Sequence, residues 1–281
     1  MAIPRISQLD ELTIGHISAG EVVERPAQVV KELVENSLDA GASKIEIEII
    51  RGGFDSLKVS DDGYGIHRED LCKALDRHAT SKLQTHTDLS EINTLGFRGE
   101  ALASIGVVSE LSLASRPTGE EGARIMMADG MKGEVEPSGM PHGTIVEVCN
   151  IFRNQPARLA FQRRPATETS RIVDVVVQHA LANPSCSFRL TVDDRDVISC
   201  PASEDLVERM YDLIGAQSSR MLTLKSPISD DDAPGEERWT GWMALTSTTL
   251  SHQAPTPRRS EFMISSSRGA WILSAEGIFF I

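Results

Sequence analysis

Valine and leucine recur at Val29, Val30, Leu33, Val34 and Leu38, the spacing of one helical face, and the segment is bounded by Arg25-Pro26 and by Gly41. Proline is tolerated in the first turn and glycine supplies a left-handed stop, so an amphipathic helix is expected here. The next stretch, KIEIEII (44–50), changes period: Ile45, Ile47 and Ile49 alternate with Glu46 and Glu48. Gly52-Gly53 then turns the chain and LKVS (57–60) answers as a second strand, which predicts a hairpin covered on one face. Further along, the pattern predicts a short helix near 69–77, a helix through FRGEALASI (97–105), and strands at 110–116, 123–128 and 143–149. A helix at 166–182 and a strand pair at 187–192 and 196–200 complete this part. The expected fold is α+β, a two-layer sandwich of a mixed, mainly antiparallel sheet with helices on one face.

A boundary is expected near residue 201, giving one domain over 1–200 and a second over 201–281. The second begins with SEDLVERMYDLIG (203–215), read as a helix capped by Ser203, continues through an acidic loop (SDDDAPGEE, 229–237), and carries strands at 240–246 and 261–265. There is no internal repeat and no long low-complexity segment.

Composition narrows the function classes. With 281 residues and 40% hydrophobic content the chain can fill a sizeable core. The formal charge of −13 argues against a uniformly basic nucleic-acid clamp and confines any DNA contact to a local patch. Cys72, Cys149, Cys186 and Cys200 show no C-x-x-C spacing, and nothing before Ile17 resembles a signal peptide. Reduced thiols in an intracellular protein are expected. No apolar run approaches the roughly 18 residues that span a bilayer, so no membrane partner is expected.

The candidate chemistry starts on the first helix. Glu32 and Asn36 are four residues apart and share a face, with Glu35 and Asp39 forming a second stripe beside them. Taken alone, this is either a ligand-facing pair or a solvated helix face. SDDGYGI (60–66) ends a strand with Asp61, and Gly63 and Gly65 let the backbone approach something closely. A carboxylate there can accept a hydrogen bond from an exocyclic amine such as that of adenine, although a plain Asp-Gly turn reads the same way. In LGFRGEALASI (95–105), Gly96 and Gly99 flank Phe97-Arg98 just before a helix, an arrangement that offers N–H groups to phosphate. Gly143-Thr144 opens a strand where the hydroxyl could line the base side of a pocket. There is no G-x-x-x-x-G-K-[ST] loop, no complete G-x-G-x-x-G, no H-E-x-x-H and no G-x-S-x-G.

In their order, the helix with E-x-x-x-N, then D-x-G-x-G, then G-F-R-G-E-A-L, then G-T resemble the Bergerat-type ATPase superfamily of DNA gyrase, the large heat-shock chaperone, sensor histidine kinases and MutL. The strings AGEVVERPAQVVKELVENSLDAGA (19–42), HATSK (78–82) and GFRGEALASI (96–105) resemble the MutL mismatch-repair family in particular. The resemblance is strong over residues 14 to about 116, recognisable to about 164 and weak beyond. It implies ATP and Mg²⁺ as ligands, with Glu32 as the general base that activates water and Asn36 as the Mg²⁺ ligand. Asp61 would read adenine, with Gly65 and Thr144 lining the base. Thr80, Ser81 and Lys82 would belong to an ATP lid at about 76–100, and Gly96, Phe97, Arg98, Gly99, Glu100, Ala101 and Leu102 to the phosphate-facing segment. It further implies ATP-driven ordering of the lid, dimerisation with a second MutL-type subunit through the N-terminal segment, cooperation with a mismatch-recognition protein, weak hydrolysis, and a nuclear or cytoplasmic location according to the kingdom. Residues 201–281 would form a ribosomal-protein-like second domain.

For DNA, FRNQPARLAFQRR (152–164) places Arg153, Arg158, Arg163 and Arg164 in an acid-free stretch interleaved with Phe152 and Phe161. Contacts of this kind would be weak, salt-sensitive and sequence-blind. The alternative is that the arginines anchor the domain and the phenylalanines fill its core.

Three departures from the family pattern stand out. Asp62 replaces the usual Asn, NQPAR replaces Asn-Thr-Pro-Ala-Arg, and FMISSSRGAW (262–271) only faintly matches Phe-Val-Asn-Gly-Arg. No position inherits the family's second-domain lysine to the γ-phosphate. A truncated or divergent ATPase with slow turnover is therefore expected, with no DNA cleavage because the nuclease motif of many relatives is not found in this sequence, and the alternative is a nucleotide-gated scaffold with negligible hydrolysis.

Overall fold

The computed structural model describes residues 20, 22–82, 95–96 and 99–214, together with the strand backbone at 221–225, 239–244, 262–266, 269–274 and 277–280. Helix α1 (Pro26–Asp39) starts with proline at its first position and buries Val29, Val30, Leu33 and Val34. It packs on strands β1 (Lys44–Ile50) and β2 (Ser56–Asp61), which pair antiparallel. The predicted alternation holds: Ile45, Ile47 and Ile49 are each no more than 1% exposed, whereas Glu48 on the opposite face reaches across to Lys58 at 2.8 Å.

The chain continues through helix α2 (Leu71–Ala74), helix α3 (Ala101–Val107), strands β3 (Glu110–Arg116), β4 (Ala123–Ala128), β5 (Met131–Lys132), β6 (Glu136–Pro137) and β7 (Gly143–Cys149), and helices α4 (Pro156–Ala160) and α5 (Pro165–Ala182). Strands β8 (Ser187–Val192) and β9 (Arg195–Cys200) follow. These strands form a nine-stranded sheet in the order β5-β4-β3-β7-β2-β1-β8-β9, with β6 paired to β4. It is mixed because β1 and β8 run parallel while β1–β2, β2–β7, β3–β7 and β3–β4 are antiparallel.

The register aligns Leu190, Ile47, Val59, Val146, Leu113 and Ile125 in one row across six strands. All six are buried. Such a row, covered by helices on one side, is the core of the layer, and it fits the α+β architecture.

Two local expectations are corrected. The helix expected at 69–77 is a 3-10 turn (Arg68–Asp70) followed by the four residues of α2. Only Leu71 and Leu75 are buried there, and His78 takes a left-handed backbone with φ 62°, which cannot continue a helix. The helix expected to be capped by Ser203 is α6 (Leu206–Ile214), and its cap is Asp205, whose Oδ1 accepts the Val207 N–H at 2.8 Å. The Ser203 hydroxyl is engaged with Glu208 instead. The two-residue strands β5 and β6 are too short to show an alternation.

The chain divides into two compact units, residues 1–176 with 186–199, and 177–185 with 200–281. In the second, Leu181 and Met210 pack with Val177, Leu206 and Leu213. The fully buried Arg209 donates to the carbonyl oxygens of Pro184 and Cys200, a hydrogen-bonded use of a buried cation. A five-stranded antiparallel meander follows in chain order: β10 (Met221–Lys225), β11 (Trp239–Ala244), β12 (Phe262–Ser266), β13 (Gly269–Ser274) and β14 (Gly277–Phe280). FMISSSRGAW thus supplies the β12–β13 pair and WILSAEGIFFI the β13–β14 pair.

Candidate functional site

Along β2 the side chains on the covered face are Leu57, Val59 and then Asp61, so the strand's period carries a carboxylate onto the buried side of the sheet. The register continues this polar step sideways, from Asp61 to Thr144 on β7 and from Thr144 to Ser115 on β3. Thr144 is 9% and Ser115 1% exposed, so the apolar core row is succeeded at this end by a row of three polar side chains.

Every member of that row is partnered. Asp61 Oδ2 accepts the Ser37 hydroxyl at 2.7 Å, and Oδ1 accepts the N–H groups of Gly63 at 3.0 Å and Thr144 at 3.2 Å. Ser115 Oγ donates to the Gly143 carbonyl at 3.0 Å, receives the Ile66 N–H at 2.8 Å, and meets Thr144 Oγ1 at 3.0 Å. Burial raises the Asp61 carboxyl above its ordinary range, against the opposing pull of its hydrogen bonds from Ser37, Gly63 and Thr144. Gly143, at φ 115°, is required here because a Cβ would collide with the Asp61 carbonyl oxygen. Gly65, at φ 80°, lies against the Arg116–Pro117 backbone, where a Cβ would come within 2.9 Å of three backbone atoms. The Tyr64 N–H donates to the Ala40 carbonyl at 3.0 Å, which ties this loop to the end of α1.

Helix α1 supplies the other wall. Glu35 is buried and ion-paired with Lys31 at 2.7 Å, and burial raises its carboxyl above the usual range in spite of that lysine. Glu32, one turn before Asn36 and partly exposed, makes no ion pair among the described residues. Of the two carboxylates, Glu32 is the one without a cation partner among the described residues. Asp39 is placed differently from the sequence expectation. It shares a partner with Asn36, as residues three apart on a helix can: Lys82 Nζ donates to Asn36 Oδ1 at 2.8 Å and to Asp39 Oδ2 at 2.6 Å. Asp39 also accepts the N–H groups of Leu95 at 2.9 Å and Gly96 at 3.0 Å.

Thus the strings HATSK and GFRGE meet each other and α1. His78 Nδ1 lies 3.1 Å from Glu100 Oε1, and Gly99, at φ 62°, is so close to Ala79 that a Cβ would sit 2.5 Å from its carbonyl oxygen. Thr80 Oγ1 accepts the Lys82 N–H at 3.1 Å, while Ser81 is exposed. Glu100, Ala101 and Leu102 are half-buried at the start of the seven-residue α3. Phe97 and Arg98 lie outside the described residues. The oxygens of Asn36 and Asp39 already gather around a cationic group, which fits the hard, oxygen-ligated preference of magnesium.

The basic segment separates into two pairs. Arg153 is committed to Glu110 at 2.8 Å and Asp129 at 2.9 Å. Arg158 donates to the Gly20 carbonyl and to Gln155, and its guanidinium lies 5.3 Å from the centre of the fully buried Phe152 ring. Arg163 and Arg164 are exposed, beside Phe161, which is 88% exposed.

Ser37 and Ser115 belong to the candidate site although no motif pointed to them, and Asp39 joins it through Lys82 rather than through a stripe with Glu35. For Ser37 the available signal was its position between Leu33-Val34 and Leu38, which puts a hydroxyl on the covered helix face.

Residues 24–140 match the family described as histidine kinase-, DNA gyrase B-, and HSP90-like ATPase, in keeping with the α+β fold. The chain is 43% identical over 249 residues to the DNA mismatch repair protein MutL of Halobacterium salinarum, covering 88% of this chain and 38% of that protein. It is 46% identical over 251 residues to MutL of Desulforudis audaxviator, covering 89% of this chain and 44% of that one. Among solved structures, the Aquifex aeolicus MutL ATPase domain complexed with ADP matches with TM-score 0.64 and 32% identity, covering 80% of this chain and 79% of that chain. The chain belongs to the MutL family and carries its ATPase domain. It spans less than half of the length of these two curated relatives.

Proposed function

We propose that the chain binds Mg-ATP between α1 and the polar end of the sheet and hydrolyses it slowly. The observation that carries this is Asp61, a carboxylate at the end of a buried sheet row and hydrogen-bonded to the helix that presents Glu32 and Asn36. Asp61 keeps one acceptor position, on Oδ2, beyond those used by Ser37, Gly63 and Thr144, and it accepts the exocyclic amine of adenine. Gly65 and Thr144 flank the base. Asn36 would hold Mg²⁺ through its amide oxygen, with the Asp39 charge beside it. Magnesium, when bound, neutralises phosphate charge and fixes the triphosphate. Glu32 orients the attacking water and accepts its proton, the role of a general base. Lys31 holds the Glu35 charge aside. Gly96, Phe97, Arg98, Gly99, Glu100, Ala101 and Leu102 form the phosphate-facing segment, and Thr80, Ser81 and Lys82 belong to the lid.

In this reading residues 1–200 are the ATP-binding domain, with the lid at about 76–100, and 201–281 begin a second domain. The protein acts inside the cell in DNA mismatch repair: ATP orders the lid and promotes pairing with a second MutL-type subunit, and DNA and a mismatch-recognition protein are its partners. The test is phosphate release by the purified chain beside a Glu32→Ala control, with and without DNA. Slow release that depends on Glu32 supports an ATPase. ATP uptake without Glu32-dependent release would make the chain a nucleotide-gated scaffold.

A further inference from the structure

Lys82 is 46 residues from Asn36 and 43 from Asp39 in sequence, yet its ammonium is held by both at 2.8 and 2.6 Å. The lysine side chain is 15% exposed and that of Asp39 7%, so this contact is shielded from solvent, unlike a surface ion pair. Its placement is fixed from several directions. Thr80 Oγ1 accepts the Lys82 N–H, and the Leu95 and Gly96 N–H groups hold the Asp39 carboxylate in place. Gly96 matters for the fit, since a Cβ there would stand 3.1 Å from the lysine nitrogen and 3.5 Å from Asn36 Oδ1.

We infer that Lys82 is a tethered cation that competes with the divalent ion of the nucleotide for Asn36 and Asp39. This rests on the Mg-ATP reading above and adds to it a regulation of the same site. The physical ground is repulsion between cations. Asn36 Oδ1 already accepts an ammonium hydrogen bond at 2.8 Å, and a metal ion brought within ligand distance of the same oxygen is strongly repelled by that ammonium in a shielded site. Loading of the metal-nucleotide therefore requires Lys82 to leave the pair, and the free energy of its two charge-assisted hydrogen bonds is subtracted from the affinity. Asp39 sets the strength of this competition, because it supplies the negative charge that holds the ammonium. The Lys82–Asp39 pair thus determines how far nucleotide affinity depends on the divalent ion, apart from any part in bond cleavage.

Isothermal titration with a non-hydrolysable ATP analogue, in excess Mg²⁺ and in EDTA, tests the competition in the whole chain. The quantity read is the ratio of the two affinities. Lys82→Met should raise the Mg²⁺-to-EDTA ratio by about tenfold, the scale of one charge-assisted hydrogen bond. Lys82→Arg, which keeps the charge, should stay near the wild-type ratio, and Lys82→Gln provides a second neutral variant if the methionine form folds poorly. A neutral variant whose affinity falls equally in Mg²⁺ and in EDTA would overturn the inference, since Lys82 would then be a plain phosphate contact. Absence of uptake by wild-type protein in both conditions would instead strike the Mg-ATP reading, so the two failures are told apart.

Discussion

Ser37 on α1 donates its hydroxyl to Asp61 on β2 at 2.7 Å, which links the helix that carries Glu32 and Asn36 to the carboxylate at the sheet's polar end. The bond predicts how Asp61→Asn will behave. An asparagine oxygen can still accept from Gly63 and Thr144, and its amide can donate to Ser37 Oγ, whose own proton then turns to the Leu33 carbonyl 3.1 Å away. The fold is kept. The remaining amide proton, however, faces the amine of adenine, donor against donor. Asp61→Asn should weaken ATP by roughly 10- to 100-fold or more, the cost of a lost hydrogen bond to a charged group, measured by titration calorimetry.

The same substitution has a pH signature. Because burial raises the folded-state pKa of Asp61, its contribution to stability is fully present below the unfolded carboxylate pKa of about 4 and is lost as pH rises through the folded value. Nucleotide-free Asp61→Asn should therefore resist urea better than wild type in mildly alkaline buffer. The advantage should shrink as the pH is lowered towards about 4.

Asp62, a departure from the usual family pattern, behaves in the opposite sense. Partial burial works to raise its carboxyl, but hydrogen bonds from Ser43 Oγ at 2.6 Å and from the Ser43 and Lys44 N–H groups, both at 2.8 Å, outweigh it and hold the pKa below the usual range. Its stabilisation is present above the unfolded pKa and is lost as pH falls through the folded one. Asp62→Asn should lower the melting temperature slightly near neutrality, less so in acid, and leave nucleotide affinity unchanged, because these bonds anchor β1 rather than the pocket.

Glu32→Gln separates binding from chemistry. Glutamine keeps the shape but cannot accept the proton of water, so steady-state phosphate release should fall by about 10²- to 10⁴-fold while analogue affinity stays within a few-fold of wild type. Glu35→Gln, by contrast, should leave the rate largely intact, since Glu35 is engaged with Lys31.

The four arginines of 152–164 should divide by role. Replacing Arg163 and Arg164 with alanine should lower DNA affinity and reduce the slope of log K against log salt by roughly 0.9 for each duplex phosphate that is no longer neutralised. Arg153→Ala should leave that slope unchanged and cost stability by roughly 1 kcal/mol or less, as expected for half-exposed ion pairs with Glu110 and Asp129.

Much of the nine-stranded sheet was legible because its periods are local. The alternation of KIEIEII, carried through Leu57 and Val59, also indicates that Asp61 lies on the covered face. The MutL strings singled out Glu32, Asn36 and Asp61 as candidates without any coordinates. What was not legible depends on residues distant in sequence. Asp39 reads as belonging to a stripe with Glu35, because nothing near it announces Lys82 as its partner. Ser37 and Ser115 are ordinary serines until the register places them beside Asp61 and Thr144. Arg153 resembles a DNA-contacting arginine until Glu110 and Asp129, far away in sequence, close on it. The cap of α6 shifts from Ser203 to Asp205 because the nearer carboxylate reaches the Val207 N–H.

A crystal structure of the chain soaked or grown with magnesium and a non-hydrolysable ATP analogue tests the central claim most directly. The adenine amine should lie within hydrogen-bond distance of Asp61, with the metal ion on Asn36 Oδ1 and Glu32 facing the terminal phosphate. A purine seated away from Asp61, or a triphosphate that leaves Asn36 and Glu32 on opposite sides of the pocket, would contradict it.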